Sequence, residues 1–235
     1  MKFELCAASL EAIQIAKELN FDRIELCQNL EQGGLTPSYG MIEYAEAFGI
    51  ETHVLIRPRP GGFFYNEDEI EIILREVKSC ARIGVKGIVI GALSETGEID
   101  KKVVAEIINK ANGMEVTFHR AFDDSIDWER SLETLIELGV TRVLSSGMSL
   151  NVDAGFSILQ RMVKFADSQI EIMPGGGVSA ANIKKICEII QPAAVHFSGT
   201  VKYQLDEESM FSENILKVDA ARVKRTLDAA NLRKV

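Results

Sequence analysis

The sequence predicts an α/β fold, a single closed (β/α)8 barrel over residues 1–235, on three observations. Eight short apolar runs recur along the chain. Each is followed by a stretch with apolar residues three and four apart, and most of the unusual polar residues stand where the runs end. Parallel strands joined by helices need crossover connections, and eight such units in 235 residues close most economically into one TIM-like barrel. An open doubly wound sheet is the alternative use of the same units.

The first run, 2–6, leads into a helix with Leu10, Ile13, Ala16 and Leu19 on one face and Ser9 as its cap. The second, 23–27, precedes Thr36-Pro37, which reads as an N-cap with proline at the first helical position; Ser38 is a neighbouring cap candidate, and Gly49 closes the helix. The third, 52–57, is followed by a helix bearing Ile70, Ile73, Leu74 and Val77 and ending at Gly84. After the fourth, 87–92, Asp100 is the cap. After the fifth, 115–120, Ser125 opens a helix that Gly139 closes. The sixth and seventh are 142–146 and 170–174, the latter followed by a helix beginning near Asn182. The eighth, 194–198, precedes a basic tail helix with Arg222, Lys224, Arg225, Arg233 and Lys234, read as a solvated face.

A hydrophobic fraction of 46% supports one large core, and a net charge of −9 argues against nucleic acid or an anionic membrane as partner. No apolar run is long enough for a membrane span, and Glu4 interrupts the first apolar stretch, so a cytoplasmic protein without a signal peptide is expected. Self-association into a homo-oligomer is compatible with this composition. Cysteines 6, 27, 80 and 187 form no Cys-x-x-Cys pair and no zinc spacing, so free thiols are expected. Cys80 and Cys187 fall within helices, where a buried cysteine serves as a small apolar residue.

Cys6 and Cys27 end consecutive strands within the same tripeptide, Glu-Leu-Cys. Alternation puts Glu4 with Cys6 and Glu25 with Cys27 on one face, and the leucines on the other. If the leucines face the helices, both thiols point into the barrel on strands about 4.8 Å apart, close enough to share one soft metal ion. Two sulfur ligands suit Cu(I) better than tetrahedral zinc. A pair of inert core cysteines is the plain alternative.

Carboxylates inside a barrel need partners, and the same rim supplies them. Strand three carries His53, Leu55, Arg57 and Arg59 on one face by parity. Strand five carries Thr117 and His119 on one face and Arg120 on the other, with Asp123 in the following loop; strand six ends at Ser146, and strand eight presents His196 and Ser198. Gly175, Gly176 and Gly177 follow strand seven, where free amides and a helix N-terminus together can hold a phosphate or carboxylate. In an enzyme, His119 would be general acid or base, with Glu4 or Glu25 orienting it or sharing the proton. Arg57, Arg59, Arg120, Asp123, Ser146, Gly175, Gly176, Gly177, His196 and Ser198 would then bind an anionic substrate.

The stretches Arg23-Ile24-Glu25-Leu26-Cys27, Gly33-Gly34-Leu35-Thr36-Pro37-Ser38, Ile56-Arg57-Pro58-Arg59, Thr117-Phe118-His119-Arg120-Ala121-Phe122-Asp123, Ser146-Gly147 and Gly175-Gly176-Gly177-Val178 resemble the CutC copper homeostasis protein family. The resemblance spans nearly the whole chain in the right order. It implies a TIM-like barrel in the cytoplasm associated with copper tolerance, with Cys6 and Cys27 at the copper-ligand positions. Gly61-Gly62-Phe63 departs from the family's Gly-Asp-Phe, so any acidic role in that loop is either absent or moved to Glu67 or Asp68. Ser145-Ser146-Gly147 replaces Thr-Ser-Gly, keeping the hydroxyl, and Phe197 between His196 and Ser198 is bulkier than expected.

Two functions of different class follow. One is a copper-handling protein that binds Cu(I) through Cys6 and Cys27. The other is an enzyme on a small anionic substrate, phosphorylated or not, at the barrel mouth, with no organic cofactor evident. A scaffold that uses the mouth only as an interaction surface is a third.

Overall fold

The computed structural model describes residues 1–204 and 214–230. Strands and helices alternate through β1 (Lys2–Ala7), α1 (Leu10–Glu18), β2 (Arg23–Leu26), α2 (Tyr39–Phe48), β3 (Thr52–Leu55), α3 (Glu67–Ile83), β4 (Gly87–Ile90) and α4 (Lys101–Ala111). They continue through β5 (Glu115–Phe118), α5 (Trp128–Glu137), β6 (Arg142–Ser145), α6 (Phe156–Ala166), β7 (Glu171–Pro174), α7 (Ile183–Lys185) and β8 (Ala194–Phe197). A hairpin of β9 (Thr200–Gln204) and β10 (Asn214–Val218) precedes α8 (Ala220–Ala229).

Parallel ladders join β8, β1 and then β2 through β7 in sequence order. Gly175, just past β7, packs on His196 of β8, so the two ends of the sheet meet and the barrel is nearly closed. This unbroken order sets aside the doubly wound sheet, whose strand order reverses at a switch point.

The alternation of the strands sorts their side chains. Leu5, Leu26, Val54, Ile88, Phe118 and Val143 face outward and share one core with helix residues such as Ile13, Val77, Val104 and Leu135. The interior holds two smaller apolar groups, Cys6 with Cys27, Leu55 and Val89, and Leu144 with Met173 and Ala194. Around them lie buried polar residues, including Glu4, Arg23, Glu25, His53, Arg142 and His196. No described helix is long and apolar enough to cross a membrane.

Local chemistry sets the ends of the helices. Ser9, Ser38 and Asp100 accept first-turn N–H groups, and Asn66 with Glu69 forms a reciprocal capping box on α3. Gly49 and Gly84 end α2 and α3 in the left-handed conformation. Two expected caps are corrected. The Thr36 hydroxyl instead accepts from the Arg57 N–H and donates to Glu76, tying the end of β3 to α3. Ser125 donates to the Phe122 carbonyl, closing a 3-10 turn, and Asp127 caps α5. The expected seventh helix has only three α-helical residues before a π-helical turn, Ile186–Ile190. Cys80 and Cys187 are buried in α3 and in that turn. The hairpin has no counterpart in the expected pattern. Arg233 and Lys234 of the basic tail lie outside the described residues.

Candidate functional site

A cavity of 420 Å³ opens at the C-terminal ends of the strands, a size suited to a small organic molecule. Cys6, Cys27, Glu25 and His196 line its floor, and Arg57, Phe63, His119, Arg120 and Leu144 its walls. The loop glycines Gly34, Gly176 and Gly177, Leu216 of the hairpin, and Arg222 and Thr226 of α8 complete it.

On the floor, the two thiols lie side by side with their sulfurs 3.7 Å apart. The register makes this so, because Cys6 stands opposite Glu25 and Cys27 follows at the end of the neighbouring strand. Gly34 closes over them; a side chain there would meet Leu55 at 2.8 Å, and its φ of +86° favours glycine. The Cys27 thiol, burial and the Glu25 carboxyl together hold the Cys6 thiol well above its ordinary pKa.

Under the thiols, His196 Nδ1 donates to Glu4 Oε1 at 2.7 Å, and Arg23 Nε donates to Glu4 Oε2 at 2.5 Å. Burial acts to raise Glu4, but its hydrogen bond with His196 and the charges of His196 and Arg23 outweigh this and keep it ionised. Burial alone would lower His196; Glu25 and Glu4 reverse the direction and raise it. Burial holds Glu25 above its ordinary value against the pull of His196. The result is an ionised Glu4 beneath the floor and a more readily protonated Glu25 on it.

The sulfur geometry can be tested against a metal. With metal–sulfur bonds of about 2.3 Å, a 3.7 Å separation subtends roughly 107°. That is a bent pair; Glu25 and His196 each place a ligand atom within 4.8 Å of the Cys6 sulfur, in a group that does not include Cys27. The two sulfurs fit a soft ion held by a thiolate pair.

On the opposite wall, His119 does not carry a free imidazole. Its Nδ1 accepts the Ala121 N–H at 3.0 Å, and its ring lies 5.0 Å from that of Phe63. Burial and the nearby Arg57 charge lower its pKa to about 3. A group that stays neutral this far below pH 7 is a poor general base at neutral pH. Arg57 donates to the carbonyls of Gln32, Gly34 and Gly61, stitching three loop positions together. Arg59 turns away from the cavity into an ion pair with Glu69 and hydrogen bonds to the Gly62 and Phe64 carbonyls. Glu67 and Asp68 sit in the first turn of α3, and neither lines the cavity.

Asp123 organises the loop after β6. It accepts from Ser145 Oγ, from the backbone and hydroxyl of Ser146, and from the Met148 N–H. Arg120 pairs with Asp123, donates to Ser146 Oγ, and reaches the cavity wall beside Gly176. Gly175 packs between Leu144 and His196, so only Gly176 and Gly177 of the glycine run line the cavity. The Ser179 N–H is taken by Asn182 Oδ1, and α7 is short, so the helix-terminus part of the expected anion site is not formed there. Ser198, bonded to Thr200, lines the mouth.

The structure thus brings together Cys6, Cys27, Glu25, Arg57, His119, Arg120, Gly176, Gly177, His196 and Ser198. It leaves Glu4 beneath the floor, Asp123 and Ser146 behind the wall, Gly175 in the packing and Arg59 outside. Sequence reasoning missed the fully buried Arg23 and the cavity role of Arg222, which it read as solvated. Parity carried the signal for Arg23, two residues before Glu25 on the same face.

A sequence model of the CutC family matches residues 1–201. A CutC family protein of Glaesserella parasuis is 39% identical over 242 residues, covering 99% of this chain and all of that protein. One from Vibrio atlanticus is 42% identical over 201 residues, covering 84% of this chain and 81% of that protein. The crystal structure of a CutC protein from Streptococcus agalactiae, named there for copper homeostasis, superposes with a TM-score of 0.80 at 34% identity, covering 83% of this chain and 98% of that one. A phosphoribosylanthranilate isomerase of Thermotoga maritima shares the fold at 13% identity, with a TM-score of 0.60 over 98% of both chains.

Proposed function

The chain belongs to the CutC family, and on that premise we propose that it is a cytoplasmic copper homeostasis protein that binds one Cu(I) between the sulfurs of Cys6 and Cys27. The observation that carries this reading is the 3.7 Å approach of two buried thiols on adjacent strands. Soft thiolates select Cu(I), and the pair lies in an apolar cluster with Leu55 and Val89. Both thiols must lose their protons on binding, so affinity rises with pH. The whole chain, 1–235, acts as one domain in this reading. An anaerobic Cu(I) competition titration tests it: wild type should show one tight site, which Cys6→Ser and Cys27→Ser should each reduce to the weak binding of a single thiolate. Binding that is indifferent to both substitutions would remove copper from the function of this chain.

A second reading has its own observation. A cavity of 420 Å³ is far larger than an ion needs, and Arg120, Gly176, Gly177, Ser198 and Arg222 place donors around it. These support an enzyme on a small anionic substrate, with Glu25 the carboxyl positioned to exchange a proton with it. Inorganic phosphate should then raise the melting temperature of wild type in a concentration-dependent way, and Arg120→Ala should blunt the rise. Equal curves for the two proteins would set the anion site aside.

A further inference from the structure

We infer that His119 is an uncharged hydrogen-bond donor, whose Nε2–H receives a carbonyl or carboxylate oxygen of a small organic molecule in the barrel mouth. This inference rests on the reading of the cavity as a small-molecule site and names the chemistry that its wall recognises.

The tautomer follows from the backbone. The Ala121 N–H donates to Nδ1 at 3.0 Å, so that nitrogen presents its lone pair and the single proton of the neutral ring is on Nε2. An imidazolium would place a second N–H against the Ala121 N–H, two donors facing each other. The 3-10 turn Arg120–Asp124 fixes the Ala121 amide, and Asp123 anchors that turn to the loop after β6. The tautomer is therefore set by main chain rather than by a replaceable side chain. Burial of the ring acts in the same direction.

The position of the ring is equally fixed. Gly91 leaves space for the Nδ1–Cε1 edge: a Cβ there would stand 2.1 Å from Cε1 and 2.5 Å from Nδ1. With that edge held against β4 and one ring face against Phe63, the remaining edge carries Nε2. His119 is 6% exposed, and its Nε2 has no hydrogen-bond partner among the described residues. A buried donor without an acceptor is costly, and native sites that tolerate one commonly do so for a ligand or a water. Arg57 carries its positive charge 5.1 Å from the Phe63 ring, and its guanidinium meets the Tyr65 hydroxyl.

One unpaired donor with a guanidinium charge close by asks for an oxygen acceptor that bears negative charge. The apolar part of the lining, including Leu55, Phe63, Leu144 and Leu216, asks for a carbon skeleton behind it. A small oxo acid or carboxylic acid meets both demands, and neutral His119 would polarise its carbonyl without taking or giving a proton.

The test uses the full-length protein with 15N-labelled histidine and pyruvate as probe, which carries carboxylate and ketone oxygens together. NMR should show His119 as the neutral Nε2–H tautomer between pH 5 and pH 8, and pyruvate should shift its Nε2–H resonance. Replacement by phenylalanine, which keeps a ring against Phe63, should weaken pyruvate binding roughly tenfold, while His119→Gln, which restores an N–H donor, should recover part of it. An Nδ1–H or cationic His119 overturns the inference without touching the reading of the cavity. Pyruvate binding that depends on Arg120 but not on His119 also overturns it and leaves the cavity reading in place. If neither pyruvate nor phosphate binds in the mouth at millimolar concentration, both readings fail together.

Discussion

Two imidazoles inside this barrel fit because the neighbouring strand presents a glycine, Gly87 at His53 and Gly91 at His119, while Gly175 makes room for Leu144 and packs on His196. Space is shared but charge is not. His53, with neither ring nitrogen hydrogen-bonded, is lowered to about 3 by burial, as is His119, whereas the carboxylates around His196 raise it. A histidine depressed on folding binds its proton more readily in the unfolded chain, so between pH 6.5 and pH 3 its contribution to stability is lost as the pH falls. At about 1.4 kcal/mol per pH unit below 6.5, the stability difference between wild type and His119→Phe should change by about 2 kcal/mol from pH 7 to pH 5, with wild type losing more. Urea midpoints at the two pH values read this, and a constant difference would contradict it. Gly91→Ala should cost about 1–3 kcal/mol in the same assay, because the added methyl overlaps the His119 ring. At this scale parity was legible along the strands, where it put Glu25, Cys27, His119 and His196 on inward faces, and it failed past the strand ends, where Arg59 turns outward and Arg120 lines the cavity beside His119. It did not separate His119 as a donor from His119 as a base, because the deciding partner is a backbone amide. Nor did it reveal that Arg57 spends its outer nitrogens on loop carbonyls.

Among the elements, the loop after β6 and the 3-10 turn after β5 hold each other through Asp123. Its carboxylate takes hydrogen bonds from Ser145, Ser146 and Met148 and an ion pair from Arg120. Asp123→Ala would strand buried donors in both segments, at an expected cost of about 3 kcal/mol. For a chain of this length that is a fall of roughly 6–12 °C in melting temperature, measurable by calorimetry; a fall under 2 °C would show that the two segments stand independently. The strands and most helices were legible because apolar periodicity reports burial directly. Thr36 and Ser125 misled because side-chain hydroxyls cap turns and join loops as readily as they start helices. The β9–β10 hairpin was missed because its first strand is largely exposed and carries no continuous apolar run. Its Leu216 and the following Arg222 nonetheless close one side of the mouth.

For the molecule as a whole, the barrel interior is layered by chemistry. At the N-terminal end, Arg142 is bonded to Glu171, Thr117 and Glu115, and Arg23 lies close to Glu51 while holding Glu4. Arg142 is buried while its carboxylate partners are partly exposed and screened by water, so Arg142→Met should destabilise the barrel by about 1–3 kcal/mol in equilibrium unfolding, and an unchanged midpoint would show the layer to be dispensable. Toward the C-terminal end the polar layer gives way to two thiols and then to the open cavity. The closed fold was legible from eight repeating units, whereas this layering was not, because strand-initial arginines look like solvated ends until the barrel closes over them. This layering leaves the thiol pair on the floor of the cavity, where the proposed ion or ligand would arrive. The most direct measurement is X-ray absorption at the copper edge of the one-to-one Cu(I) complex, prepared anaerobically from wild type and from Cys6→Ser. Two sulfur neighbours in wild type, reduced to one in the variant, are expected. Coordination by nitrogen or oxygen alone, or a sulfur count unchanged by the substitution, would contradict copper binding by the pair.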